Sequence, residues 1–117
     1  MNCFATYATA IVMLLHIVFG IVEMVFWPRV GSRLLGTSDP RAVKLTTPMA
    51  INQGLYNLFV AAVLLVAVLL GSENIAIFGL LFVILAGIVG WWTVTFRIFL
   101  VQSVPAIIAL AFVIARI

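Results

Sequence analysis

Long apolar stretches, separated by short polar breaks, occupy most of the chain. About 20 consecutive apolar residues, at 1.5 Å of helical rise per residue, are enough to cross the hydrocarbon core of a bilayer. The pattern therefore predicts an all-α integral membrane protein, a four-helix up-down bundle that forms a single transmembrane domain over residues 1–117. The predicted spans are residues 6–27, 48–70, 74–95 and 97–115.

Prolines and capping residues set the predicted boundaries of these spans. Pro28 ends the first span, because a proline inside a helix removes a backbone hydrogen bond. Thr47 followed by Pro48 is typical of a helix start, with the proline at the first helical position. Ser72 is the expected N-cap of the third span. Arg97 marks a short turn between the third and fourth spans, which predicts a tight helical hairpin.

Composition excludes a soluble domain, since 67% of the residues are hydrophobic and 8% are charged. The mean hydropathy of +1.39 agrees. Cys3 is the single cysteine, which excludes an intrachain disulfide and a thiolate metal cluster. The net charge of +3 comes from basic residues that flank apolar spans and act as topology signals. Membrane lipid is therefore the expected partner, and neither nucleic acid nor a cofactor is expected.

The region over residues 28–47 is predicted to be the one substantial loop, and it is basic. The spacing of Arg29 and Arg33, and of Val30 and Leu34, suggests a short helix lying in the membrane interface. We favour the simpler interpretation of a basic loop that sets topology. The positive-inside rule then places this loop in the cytoplasm and both termini outside it. The charged residues of the loop are Arg29, Arg33, Asp39, Arg41 and Lys44.

Glu23 and His16 are ionisable residues inside the first span. A charged group within hydrocarbon costs several kcal/mol, so such residues usually face the bundle interior or a water cavity and serve a function. Seven helical steps of about 100° return to within about 20° of the starting direction, so the two side chains share a helix face. They are the predicted acid and base if the protein is an enzyme. Their separation of about 10 Å along the axis argues against a metal site.

Polar side chains in two further spans complete the predicted site. Asn52 with Tyr56, and Gln53 with Asn57, are two pairs at i and i+4 spacing, which gives the second span a polar stripe. Gln102 lies at a matching depth in the fourth span. Together with the carboxyl of the first span they predict a polar layer that opens to the cytoplasm. Alternatively, the amides serve only as contacts between helices, worth about 0.6 kcal/mol each.

Four motifs of the chain are His16 through Trp27, Asn52-Gln53-Gly54-Leu55-Tyr56-Asn57, Ala86-Gly87-Ile88-Val89-Gly90 and Gln102-Ser103-Val104-Pro105-Ala106. They resemble the domain of unknown function 1304 family of small bacterial membrane proteins. The resemblance covers nearly the whole chain and implies a compact four-helix protein of the bacterial inner membrane, without implying any reaction. Leu58 departs from the small residue that members usually carry there, which predicts different packing at this point.

Three functions are compatible with this pattern. The first is binding of a small amphipathic or lipid-like molecule in the polar layer, and we rank it first because it requires least of the site. The second is a membrane enzyme that performs isomerase, cyclase or epoxide chemistry on a lipophilic substrate. The third is a small transporter, against which the apolar outer half of the bundle argues. Ala86 and Gly90 have the spacing of small residues at a close helix contact, so a homo-oligomer is also compatible.

Overall fold

A computed structural model of the protein describes residues 1–116, and in this range the chain is all-α. Four of its five helices are long and apolar enough to cross a membrane. The predicted fold class is therefore confirmed, and the chain is a multi-pass membrane protein. The helices are α1 (Cys3–Val25), α2 (Trp27–Leu35), α3 (Pro40–Leu70), α4 (Glu73–Thr93) and α5 (Phe96–Ala115), and α2 is the short one.

The loop predicted over residues 28–47 is instead mostly helical, which corrects the interpretation favoured from sequence. Pro28 does not simply end a helix, because it lies in the first turn of α2, where a proline needs no hydrogen-bond donor. Gly36 ends α2 with a left-handed φ of 67°, and its N–H bonds to the carbonyl of Arg33. The spacing of basic and apolar residues in this segment thus indicated a helix correctly, whereas its basic character led to the wrong prediction of a loop.

Helix α3 begins at Pro40, so the start predicted at Thr47 and Pro48 is wrong. Pro48 lies inside the helix, where it cannot supply a backbone donor. The preceding Thr47 hydroxyl donates to the carbonyl of Val43 at 2.8 Å, so the helix continues through this turn with a side chain bonded to its backbone. The 31 residues of α3 measure about 46 Å, against about 30 Å of hydrocarbon. We expect its first turns, which carry Arg41 and Lys44, to extend beyond the apolar layer.

The chain divides into two compact units. The first unit comprises Met1–Leu14 and the chain from Val60 on, and the second comprises Leu15–Phe59. In the first unit, α4 packs against α5 through a core of small and branched side chains. This core includes Ala76, Leu80, Val83, Ala106, Ala109 and Val113. The single transmembrane domain proposed from sequence stays a prediction.

The predicted hairpin between α4 and α5 contains a π-helical segment, Phe99–Ser103. Pro105 follows this segment and has no N–H to offer the carbonyl of Val101, and a π turn is a local adjustment that accommodates such a loss. Ser72 caps α4 as predicted, since its hydroxyl accepts a hydrogen bond from the N–H of Ile75 at 3.4 Å. The ends of α1, α4 and α5 lie within a few residues of the predicted span limits.

Candidate functional site

Two glycines allow α1 and α3 to make close backbone contact in the second unit. A Cβ atom added at Gly20 would lie 2.9 Å from the carbonyl oxygen of Gly54, and one added at Gly54 would lie 2.8 Å from that of Gly20. Any larger residue at either position would push the helices apart. Leu58 closes over Gly20, at 2.7 Å from the same added Cβ, so the large residue in this motif takes part in the contact.

This close contact brings together the side chains of Glu23 and Asn57. Each of these residues follows its glycine by three positions, so it lies on the same helix face nearly one turn further along. The Nδ2 atom of Asn57 donates a hydrogen bond to Oε2 of Glu23 at 2.6 Å, across 34 positions of sequence. Two residues that sequence analysis selected separately therefore form one pair.

The two members of the Glu23–Asn57 pair differ in exposure. Asn57 is buried, with 8% of its surface exposed, whereas Glu23 is half-buried. A carboxylate offers about four lone-pair sites on two oxygens, and Asn57 uses one of them. Glu23 is thus held in place by an amide and retains the capacity to accept further hydrogen bonds. The arrangement suits recognition of a hydroxyl or amine group.

His16 lies on the same helix face as Glu23, at i and i+7 positions of α1, as predicted. It is buried, with 3% of its surface exposed, and its ring meets the edge of Phe19 at a centroid distance of 5.6 Å. Glu23 bonds to Asn57 rather than standing alone as a base. The acid and base roles of His16 and Glu23 stay predictions.

The other predicted ligand-binding residues of α3 lie off its buried face. Asn52, Gln53 and Tyr56 are all exposed, and the Tyr56 ring meets the edge of Phe59 at 6.3 Å. Gln53 precedes Asn57 by four positions, so of the three residues it is the one that shares a helix face with Asn57. The binding roles of these residues stay predictions.

Gln102 lies in the first unit, within the π-helical segment, and is half-buried. Its neighbour Ser103 was not predicted to matter, yet it is fully buried and its hydroxyl donates to the carbonyl of Ile84 at 2.8 Å. Gly87 leaves space for this serine, because a Cβ there would lie 3.0 Å from the backbone nitrogen of Ser103. The ligand-binding role of Gln102 stays a prediction.

Sequence analysis missed Gly20 and Gly54, although the sequence contained a signal for them. In both helices a glycine precedes the polar residue by three positions, as Gly20 before Glu23 and Gly54 before Asn57. A small residue one turn from a polar one is the combination that lets two membrane helices approach and share a hydrogen bond.

Among residues 1–116, no three His, Cys, Asp or Glu side chains lie close enough together to hold a metal ion. Fold and site thus define a multi-pass, all-α membrane protein with a carboxyl–amide pair between two of its helices. Residues 10–114 match the DUF1304 family of proteins of unknown function, and the chain belongs to this family. This confirms the resemblance seen in the sequence motifs. No curated protein and no solved structure matches the chain.

Proposed function

We propose that this protein binds a small amphipathic or lipid-like molecule whose polar head is held at the Glu23–Asn57 pair. The observation that carries the proposal is the 2.6 Å hydrogen bond between a buried amide and a half-buried carboxyl. The amide fixes the position of the carboxyl, and the carboxyl keeps oxygen lone pairs for a second donor. The head of the ligand is accordingly a hydroxyl or amine group.

The depth of the pair supports an amphipathic ligand. Glu23 lies two residues before the end of α1 at Val25, so it is close to the headgroup level if α1 spans the bilayer. A polar head at this level would leave its apolar tail in the hydrocarbon. Gln53, exposed one turn before Asn57, is the residue to which we assign a supporting hydrogen bond.

The geometry favours binding over acid–base catalysis. An acid and a base that act on the same atom must each lie within about 3 Å of the proton that they transfer. Glu23 and His16 are separated by about 10 Å along α1, and the group bonded to Glu23 is an amide, which does not titrate. A carboxyl oriented by an amide can recognise a donor without any proton transfer.

The first prediction concerns compounds that copurify with the protein. We expect a discrete lipophilic compound to copurify with the wild type in mild detergent and to be lost in Glu23→Gln, because an amide accepts donors less strongly than a carboxylate. Glu73→Gln is the matched control, since Glu73 lies in the first turn of α4 and pairs with Arg116 at 3.7 Å. Mass spectrometry of the extracted small molecules provides the measurement. The same lipids in all three samples would refute the proposal.

We further propose that the pair faces the cytoplasm of a bacterium, in the inner membrane, with both termini outside the cytoplasm. The basic residues between α1 and α3 support this orientation. Ser38→Cys in a Cys3→Ser background should resist a membrane-impermeant maleimide in intact cells and react after permeabilisation. The native Cys3, exposed at the start of α1, should react in intact cells and is the control. The opposite labelling pattern would show that the protein has the inverse topology.

A further inference from the structure

The positive charge of the chain is concentrated in one segment, residues 26–47. This segment carries four of the six Lys and Arg residues against one acid, Asp39, whereas the remaining two cations are matched by two acids. The net charge of +3 therefore belongs to α2 and the first turns of α3. Asp39 is already counted in this sum, and its exposed ion pair with Arg41, at 3.4 Å, contributes little to stability.

Helix α2 packs against the start of α3. The indole N–H of Trp27 donates to the hydroxyl of Thr46 at 3.1 Å. Gly31 is buried between the two helices, and a Cβ added there would lie 3.0 Å from the Trp27 ring and 3.1 Å from Val43. The positions from which the basic side chains of both helices project are therefore fixed relative to one another.

A groove with a volume of about 470 Å³ lies between these two helices. Its lining combines one cation, Lys44, with the hydroxyl groups of Ser32 and Ser38 and with apolar atoms such as those of Val43. The hydroxyl of Thr47 also lies in the lining, but it already donates to the carbonyl of Val43. An ammonium group with neighbouring hydroxyls is a suitable set of donors for a phosphate.

Two large apolar side chains that directly follow basic residues in sequence are also exposed. Leu34 on α2 and Leu45 on α3 are exposed by 63% and 78%. Helix α1 ends directly before α2, and α3 begins with turns that carry Arg41 and Lys44. A bilayer spanned by α1 and α3 would therefore place both elements at the level of lipid headgroups. Basic groups next to apolar ones at this level are typical of a surface that binds anionic lipid.

We propose that α2 and the first turns of α3 form a binding site for the headgroup of an anionic phospholipid. Its phosphate lies in the groove beside Lys44, with hydrogen bonds from the hydroxyls of Ser32 and Ser38. Arg29 and Arg33 add attraction for the net negative charge, and the acyl chains pass along Leu34 and Leu45. A zwitterionic phospholipid has the same phosphate, but its own cation faces four positive side chains. This site uses none of the residues of the Glu23–Asn57 pair.

Native mass spectrometry of the detergent-solubilised protein, titrated with phosphatidylglycerol or phosphatidylcholine, tests the proposal. We expect the wild type to bind phosphatidylglycerol more tightly. Lys44→Gln should weaken phosphatidylglycerol binding about fivefold, the effect of about one surface cation, and Lys44→Arg should restore most of it. Arg97→Gln is the control, because it removes the same charge from an exposed position in the first unit.

Three results would overturn the proposal. Equal affinity for the two lipids would show that the site does not distinguish the net charge of the headgroup. Equal weakening in Lys44→Gln and Arg97→Gln would show attraction to total charge rather than to this groove. Displacement of phosphatidylglycerol by millimolar inorganic phosphate would identify a soluble anion site instead. Thermal denaturation of each variant checks that it is folded, and if Lys44→Gln is not, Arg33→Gln on exposed α2 replaces it under the same criteria.

Discussion

The contact between Glu23 and Asn57 in the second unit differs instructively from the contact between Ser103 and Ile84 in the first. Both depend on glycine, with Gly20 and Gly54 in one case and Gly87 in the other. The Ser103 hydroxyl is fully buried and donates to a backbone carbonyl. The Asn57 amide donates to an ionisable side chain that remains half-exposed. The same packing device therefore produces a closed contact in one unit and an accessible group in the other.

Energetics assign different roles to these two contacts. A neutral hydrogen bond between membrane helices contributes about 0.6 kcal/mol to stability. Such a bond needs no role beyond holding the helices together. A half-buried carboxyl near the end of a span costs less than one at the bilayer centre, but it still loses hydration that one hydrogen bond from an amide replaces only in part. Packing alone therefore accounts for Ser103, whereas at position 23 an uncharged amide would serve packing as well as the carboxyl does.

The largest effects are expected when the close helix contacts are filled. Gly54→Ala places a methyl group against a backbone oxygen, and Gly87→Ala places one against the backbone of Ser103. Each should destabilise the protein by about 1–3 kcal/mol, as overpacking does. Only Gly54→Ala should also lower the amount of copurifying compound, because it separates Glu23 from Asn57. Denaturation in detergent and mass spectrometry measure the two effects.

Ala62→Val is the control for these glycine variants, since it adds two methyl groups at an exposed position of α3. We expect it to change stability by less than about 0.5 kcal/mol. Equal loss of the compound in Gly54→Ala and Gly87→Ala would erase the distinction between the two contacts.

A smaller effect is expected from exchanging the partners of the Glu23–Asn57 pair. Asn57→Asp alone places a second carboxyl group against that of Glu23. It should destabilise the protein by about 1 kcal/mol, which is within the range of coupling energies measured for residues in contact. Adding Glu23→Gln restores an amide facing a carboxyl, so the double variant should regain most of the lost stability. A complete double-mutant cycle in denaturant measures the coupling. Strict additivity of the two substitutions would mean that the pair does not interact.

Ser103→Ala provides the comparison for this cycle and should have a smaller effect than Asn57→Asp. It removes the hydrogen bond to Ile84 and should cost about 0.6 kcal/mol. Binding of the copurifying compound should be unchanged, because the hydroxyl contacts only backbone. Loss of the compound in Ser103→Ala would move the binding site, or part of it, into the first unit.

Most of the helices could be predicted from the sequence, and the one helix start that was predicted wrongly has an identifiable physical cause. The apolar stretches indicated α1, α4 and α5 because a membrane span needs only length and hydropathy, both of which are local properties. The start of α3 was predicted too late because Thr47 and Pro48 imitate a helix start. Threonine side-chain bonds and the adjacent packing of α2 let the helix continue through this proline. Packing against α2 therefore outweighed the local preference of Thr47 and Pro48 for a helix start.

The sequence by itself determined the class of protein, the family and the presence of chemically unusual residues such as Glu23 and Asn57. These follow from composition and short motifs, which do not depend on how helices meet. Only the tertiary structure decided that Glu23 bonds to Asn57, while Gln53 on the same helix stays exposed. The reason is geometric: the partner of a side chain depends on where two backbones come closest, and here Gly20 and Gly54 set that point.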